Sequence, residues 1–135
     1  MEKAVLHPYL MFEGDCAEAM EFYKGIFGGE LNSMTFGQVD DSCPAAQRDK
    51  IMHASLMGGE VDFMGCDSPQ PGPLTGDKIQ LSLSGFDEAN LRKKFEQLSE
   101  GGTVTVPMAK QVWGDIFGAF KDKYGIDWMI DVRAR

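Results

Sequence analysis

The feature that most constrains this chain is a helix signal that occurs twice, about seventy residues apart. Asp15 precedes a segment in which Cys16, Ala19, Met20, Tyr23, Ile26 and Phe27 recur at helical spacing, while Glu18, Glu21 and Lys24 take the opposite face. Asp15 and Glu18 form a capping-box-like pair, and Gly28 and Gly29 accept the left-handed angles that stop a helix. The spacing predicts a helix from about 16 to 27. In the second occurrence Asp87 caps, Phe86 staples onto Leu91, and Leu91, Phe95 and Leu98 make the stripe, with Gly101 and Gly102 as the stop. This predicts a helix over about 88 to 100.

Each helix follows an extended segment, Leu6 to Phe12 and Ile79 to Leu83, and precedes three more. Those are Glu30 to Phe36, Ile51 to Met57 and Glu60 to Gly65 in the first half. The second half has Thr103 to Val106, Ile116 to Lys121 and Trp128 to Val132. The repeating unit is therefore βαβββ, an α+β plan. Between the halves, residues 67 to 77 read DSPQPGPLTGD, and their prolines and glycines cannot continue a central strand or helix. We expect one domain over 1–135, with module one at about 1–66, a linker at 67–77 and module two at about 78–135. Asp40 to Asp49 is expected to be an irregular loop, either a plain surface loop or a flap over a site.

With 135 residues, 43% of them hydrophobic, the chain can bury a core without disulfides or structural metal. A formal charge of −8 argues against nucleic acid and anionic membranes as partners. No apolar run approaches the ~20 residues of a membrane span, and the opening segment has no signal-peptide pattern, so a cytoplasmic protein is expected. Cys16, Cys43 and Cys66 make an odd number without zinc-type spacing and read as reduced thiols. Cys16 lies on the apolar stripe as a small hydrophobe.

Three stretches resemble PhnB-like proteins of the vicinal-oxygen-chelate superfamily, which groups glyoxalases, bleomycin resistance proteins and dioxygenases. They are HPYLMFEGDCAEAMEFYKGIFGGE near the start, IMHASLMGGE in the middle, and VWGDIFGAFKDKYGIDWMI near the end. In the last, Trp113, Gly114, Gly118, Asp122, Gly125 and Trp128 resemble the group's closing signature. The resemblance implies two βαβββ modules forming one curved mixed sheet, with helices on the convex face and a small-molecule cavity on the concave one. It also implies a homodimer. It fixes a scaffold better than a reaction. Proteins of this kind are often called demethylubiquinone methyltransferases, yet this chain has no glycine-rich nucleotide loop between strand and helix.

Alternation along the first strand puts Leu6, Leu10 and Phe12 on the helix side, and His7, Tyr9 and Met11 toward the cavity. Metal-using relatives draw ligands from the first and last strand of each module, and the resemblance places His7, Asp62, Lys78 and Met129 there. Imidazole and carboxylate suit a divalent ion, whereas the Lys78 ammonium repels one and the Met129 thioether suits copper(I). No metal or other cofactor is expected. A divalent ion held by His7, Asp62 and His53, with Asp131 as a further substitute, is the alternative. His53 and Ser55 point into the same cavity, as do Met57 and Met64, and Trp113 either stacks on a ligand or plugs the mouth.

Two readings follow. In a binding module, Tyr9, Met11, Met64, Lys78, Trp113 and Met129 hold an apolar ligand without chemistry. In a metal-dependent lyase, isomerase or dioxygenase, His7 or His53 moves protons and Asp62 orients it or holds the ion. A purely structural role explains a dimer but not the polar cavity residues.

Overall fold

The repeat becomes two units, Met1–Leu74 and Thr75–Arg135; the computed structural model describes residues 5–69, 72–76 and 79–134. Lys78 lies outside the described residues. In the first unit β1 (Tyr9–Phe12), α1 (Cys16–Phe27), β2 (Glu30–Thr35), α2 (Phe36–Val39), β3 (Ile51–Met57) and β4 (Phe63–Asp67) follow in order. The sheet runs β1-β4-β3-β2, with β1 parallel to β4 and the other pairs antiparallel. In the second, β5 (Leu81–Gly85), α3 (Glu88–Ser99), β6 (Thr103–Lys110), β7 (Ile116–Lys121) and β8 (Asp127–Val132) build a sheet of order β5-β8-β7-β6. The two units share one α+β plan, βαβββ, with a short extra helix in the first.

Helix boundaries agree with the periodicity, because a stripe of buried side chains must end where the chain leaves the sheet. Cys16, Ala19, Met20, Tyr23 and Phe27 are buried along α1. The rings of Tyr23 and Phe27 meet Phe63 of β4 edge-on, at 5.3 and 6.3 Å between centroids. In the second unit Phe95 meets Phe120 the same way at 5.0 Å. Phe63 and Trp128 are both buried, so strand alternation assigned the faces correctly. Leu10, Phe12, Met20, Phe27 and Leu91 are buried as well, while Leu81 and Phe95 are only half-buried.

Several boundaries differ. The strands expected from Leu6 and Ile79 begin at Tyr9 and Leu81, where their parallel partners Met64 and Trp128 begin to pair with them. Leu6 is 97% exposed rather than on the helix side. β2 stops at Thr35 because Thr35 caps α2: its hydroxyl accepts from the Gln38 N–H at 3.2 Å and the Gln38 side chain accepts from the Thr35 N–H at 2.8 Å. A 3-10 turn, Ala45–Gln47, then interrupts the loop expected at 40 to 49. β4 runs on to Asp67, so the linker begins one residue later than its composition suggested, and Asp67 is buried.

Asp67 also replaces the expected start of α1, since the Asp15 side chain makes no cap. Instead one Asp67 oxygen accepts from the Gly14 and Cys16 N–H groups and the other from Ile51, each at 2.9 Å. The turn into α1 and the start of β3 are thereby tied to one carboxylate. Asp87, by contrast, caps α3 locally, accepting from the Asn90 N–H at 3.1 Å. At the end of α1, Gly29 has φ +100, and a Cβ there would stand 2.8 Å from the Met57 carbonyl oxygen. Among the described residues no helix is long and apolar enough to cross a membrane.

Candidate functional site

In each sheet the face turned away from the helix carries the chemistry. In the first unit β1 contributes Tyr9 and Met11, β4 contributes Met64 and Cys66, and β3 contributes His53 and Ser55. Pairing sets Tyr9 beside Met64 and Met64 beside Ser55, one row across three strands, with Met11 beside Cys66 in the next. The Tyr9 hydroxyl and His53 Nδ1 are 3.2 Å apart, with ring centroids at 5.8 Å. The Cys66 thiol donates to Met11 Sδ at 3.3 Å. Four of the predicted residues, Tyr9, Met11, His53 and Met64, therefore come together.

Burial acts against charge on two groups of this face. Burial raises the Tyr9 hydroxyl above its ordinary value, and its hydrogen bond with Cys66 adds to that. Burial also pushes the Cys66 thiol up, the hydrogen bond with Tyr9 pulls it back, and Asp67 pushes it up again. A thiol raised in this way is a weaker nucleophile than a free cysteine. Cys66 was not among the predicted site residues. Its spacing of two from Met64 was the available signal, hidden because the strand was expected to end at Gly65.

The remaining predicted residues are placed differently. His7 is half-buried and lies two positions ahead of β1. Asp62 is exposed in the turn before β4, where its carboxylate accepts from the Gly58 N–H at 2.8 Å and closes the turn. In the second unit Met129 and Asp131 share the open face with Ser82 and Ser84, their neighbours on β5. Trp113 is 60% exposed and leans edge-on against Phe117 at 6.3 Å, and Phe117 pairs with Asp131. Burial raises the Asp131 carboxyl above its ordinary value, the hydrogen-bonded Asp115 adds to this, and Arg133 opposes it.

A divalent ion needs three or four converging donors. Among the described residues no group of three or more His, Cys, Asp or Glu side chains is arranged to hold one. His53 already meets Tyr9 through Nδ1, Asp62 is engaged in its turn, and Met129 brings a thioether. These described residues do not fit the group.

Comparison with known proteins places this geometry. Protein YjdN of Escherichia coli (strain K12) is 28% identical over 138 residues, covering 94% of each chain. The crystal structure of protein PA1353 from Pseudomonas aeruginosa superposes with a TM-score of 0.81 at 37% identity, covering 96% of this chain and 97% of that one. A putative 3-demethylubiquinone-9 3-methyltransferase, PhnB protein, from Bacillus cereus gives a TM-score of 0.76 at 26% identity, over 93% of this chain and 96% of that one. The family model for the Glyoxalase/Bleomycin resistance protein/Dioxygenase superfamily matches residues 5–130, nearly the whole length, and the chain belongs to that superfamily.

Proposed function

We propose that this is a PhnB-like protein that binds a small, largely apolar molecule on the open face of its first sheet without a metal ion. The observation that carries this reading is the composition of that face. Tyr9, Met11, Met64 and Cys66 offer aromatic and polarizable surface, and the Tyr9 and His53 pair gives one polar contact point. Small-molecule sites generally have this mixture, many apolar contacts and few directional ones. On the second sheet Met129, Phe117 and Trp113 supply similar material. The reading includes a homodimer working in the cytoplasm with free thiols, supported by the mostly exposed strands β2 and β6 that end the two sheets.

Titrating methyl-labelled methionine protein with a panel of neutral aromatic fragments tests it. Saturable shifts at Met11 and Met64, unchanged by chelator and weakened by Tyr9→Ala, are expected. Shifts confined to buried Met20, or binding that vanishes with chelator, would overturn it. Elemental analysis should find well under one divalent ion per chain, and light scattering about twice the monomer mass.

A second reading, a lyase, isomerase or dioxygenase of the glyoxalase type, draws support from His53, whose Nδ1 is oriented by Tyr9. On this reading Nε2 removes or returns a substrate proton. Solvent deuterium entering a captured ligand, and lost in His53→Ala, would favour it over simple binding.

A further inference from the structure

The second unit contains a hollow of about 280 Å³ at one end of its sheet, whereas the Tyr9 and His53 face belongs to the first unit. It opens where β5 runs into α3. Its apolar walls are Phe86, Ile116 and Val132, and three charged side chains, Glu88, Lys110 and Arg133, complete the lining. Ile116 and Val132 are direct cross-strand partners, and Val132 points to the buried, helix-bearing side of β8, whereas Met129 and Asp131 point to the other. The hollow thus lies at the end of the sheet, where Val132 turns to the helix side and Arg133, through Ser84, to the open side.

Its charge is unusual for this chain. The protein carries a formal −8, yet two cations face this one depression. Of the acids nearby, Glu88 Oε2 takes Arg92 Nε at 2.8 Å, Asp115 accepts from the Ala134 N–H at 2.9 Å, and Asp131 meets the charge of Arg133 while hydrogen-bonded to Asp115. Arg133 is anchored at both ends: its N–H donates to the Gly85 carbonyl at 2.7 Å and its Nη2 to Ser84 Oγ at 3.3 Å. A guanidinium has five N–H donors, so the one bond to Ser84 leaves others for a ligand. Phe86, predicted as a helix staple, is 46% exposed at this rim.

We infer that this hollow is a second ligand site, for a small monoanion with a hydrocarbon tail, the carboxylate taken by Lys110 and Arg133 and the tail by Phe86, Ile116 and Val132. Three features choose this class. The volume suits a molecule of a few to about ten heavy atoms rather than a nucleotide. The apolar walls disfavour a free phosphate, whose every face wants hydration. The planar guanidinium matches a carboxylate edge to edge.

The probe is sodium butyrate, compared with butyramide and n-butylamine of the same shape, and read by amide chemical shifts of labelled full-length protein at neutral pH and low salt. Butyrate should move the amides of Phe86, Ile116, Val132 and Arg133 saturably, with Tyr9, His53 and Met64 unmoved. Butyramide and n-butylamine should bind at least about tenfold more weakly, and Lys110→Gln and Arg133→Gln should each weaken butyrate by about the same factor, as loss of a charge-assisted hydrogen bond does. Both side chains are exposed, so the variants keep the fold. Equal binding of the amine, butyrate shifts that survive both substitutions, or shifts lying elsewhere would each overturn the inference.

Discussion

The two units share a topology and differ in nearly every residue that meets at equivalent points. In the first, the parallel strands pair Tyr9 with Met64 and Met11 with Cys66 on the open face. In the second, the same steps pair Ser82 with Met129 and Ser84 with Asp131. Aromatic and sulfur groups on one side are thus answered by hydroxyl and carboxyl groups on the other, with one methionine retained in each. On the helix side the step that holds Phe12 and Asp67 in the first unit holds Gly85 and Val132 in the second. The lesson is that a backbone plan tolerates wholesale exchange of side chains so long as each face keeps its burial, and that the open face is free to specialise.

Helix capping shows the same divergence, and it makes the sharpest test. Asp67→Ala should be the most destabilising change, at about 3–5 kcal/mol, since it strips an acceptor from three N–H groups that are buried or partly buried. Urea unfolding followed by circular dichroism measures it. Asp122→Ala should follow at about 2–4 kcal/mol, because that buried carboxylate accepts from the Tyr124 and Ile126 N–H groups and, at 2.9 Å, from Trp128 Nε1. Both tryptophans belong to the second unit, so their fluorescence should report this loss directly.

Asp87→Ala removes a local cap and should cost only about 1 kcal/mol. If it costs as much as Asp67→Ala, the contrast between tertiary and local capping fails. Cys16 sharpens the comparison at high pH. Burial, then Asp67 and Cys66, push its thiol up from 9.0 to about 12. A raised value means the unfolded chain loses this proton first, so the contribution is complete below about 9 and falls away as pH rises towards about 12. Wild type should therefore lose stability across that window faster than Cys16→Ala, measured by urea titrations at stepped pH. The smallest effect belongs to Trp113→Ala, under about 1 kcal/mol, because an exposed ring resting on Phe117 removes little area from water.

Much of this was legible in the chain because it depends on local pattern. The stripe from Cys16 to Phe27 and the alternation through Phe63 and Trp128 specify helix, strand and buried face wherever one side must leave water. The Thr35 and Gln38 spacing carries a capping-box pattern in the sequence too, but it overlaps the extended pattern of Glu30 to Phe36, which hides it. Asp67 could not be read at all. It stands beside a proline-rich segment and finds its partners 53, 51 and 16 residues away, which only the closing of β1, α1 and β3 around β4 brings together.

The site divides along the same line. The sequence by itself determined which residue types line an open sheet face, because alternation sends Tyr9, Met11, His53 and Met64 to one side. Only the tertiary structure decided which of them meet. It joined Tyr9 to His53 and Cys66 to Met11, engaged Asp62 in a turn and set Lys110 and Arg133 over one hollow. Periodicity is a property of neighbours along the chain, whereas distance across a sheet depends on strand order and register, which no single strand encodes.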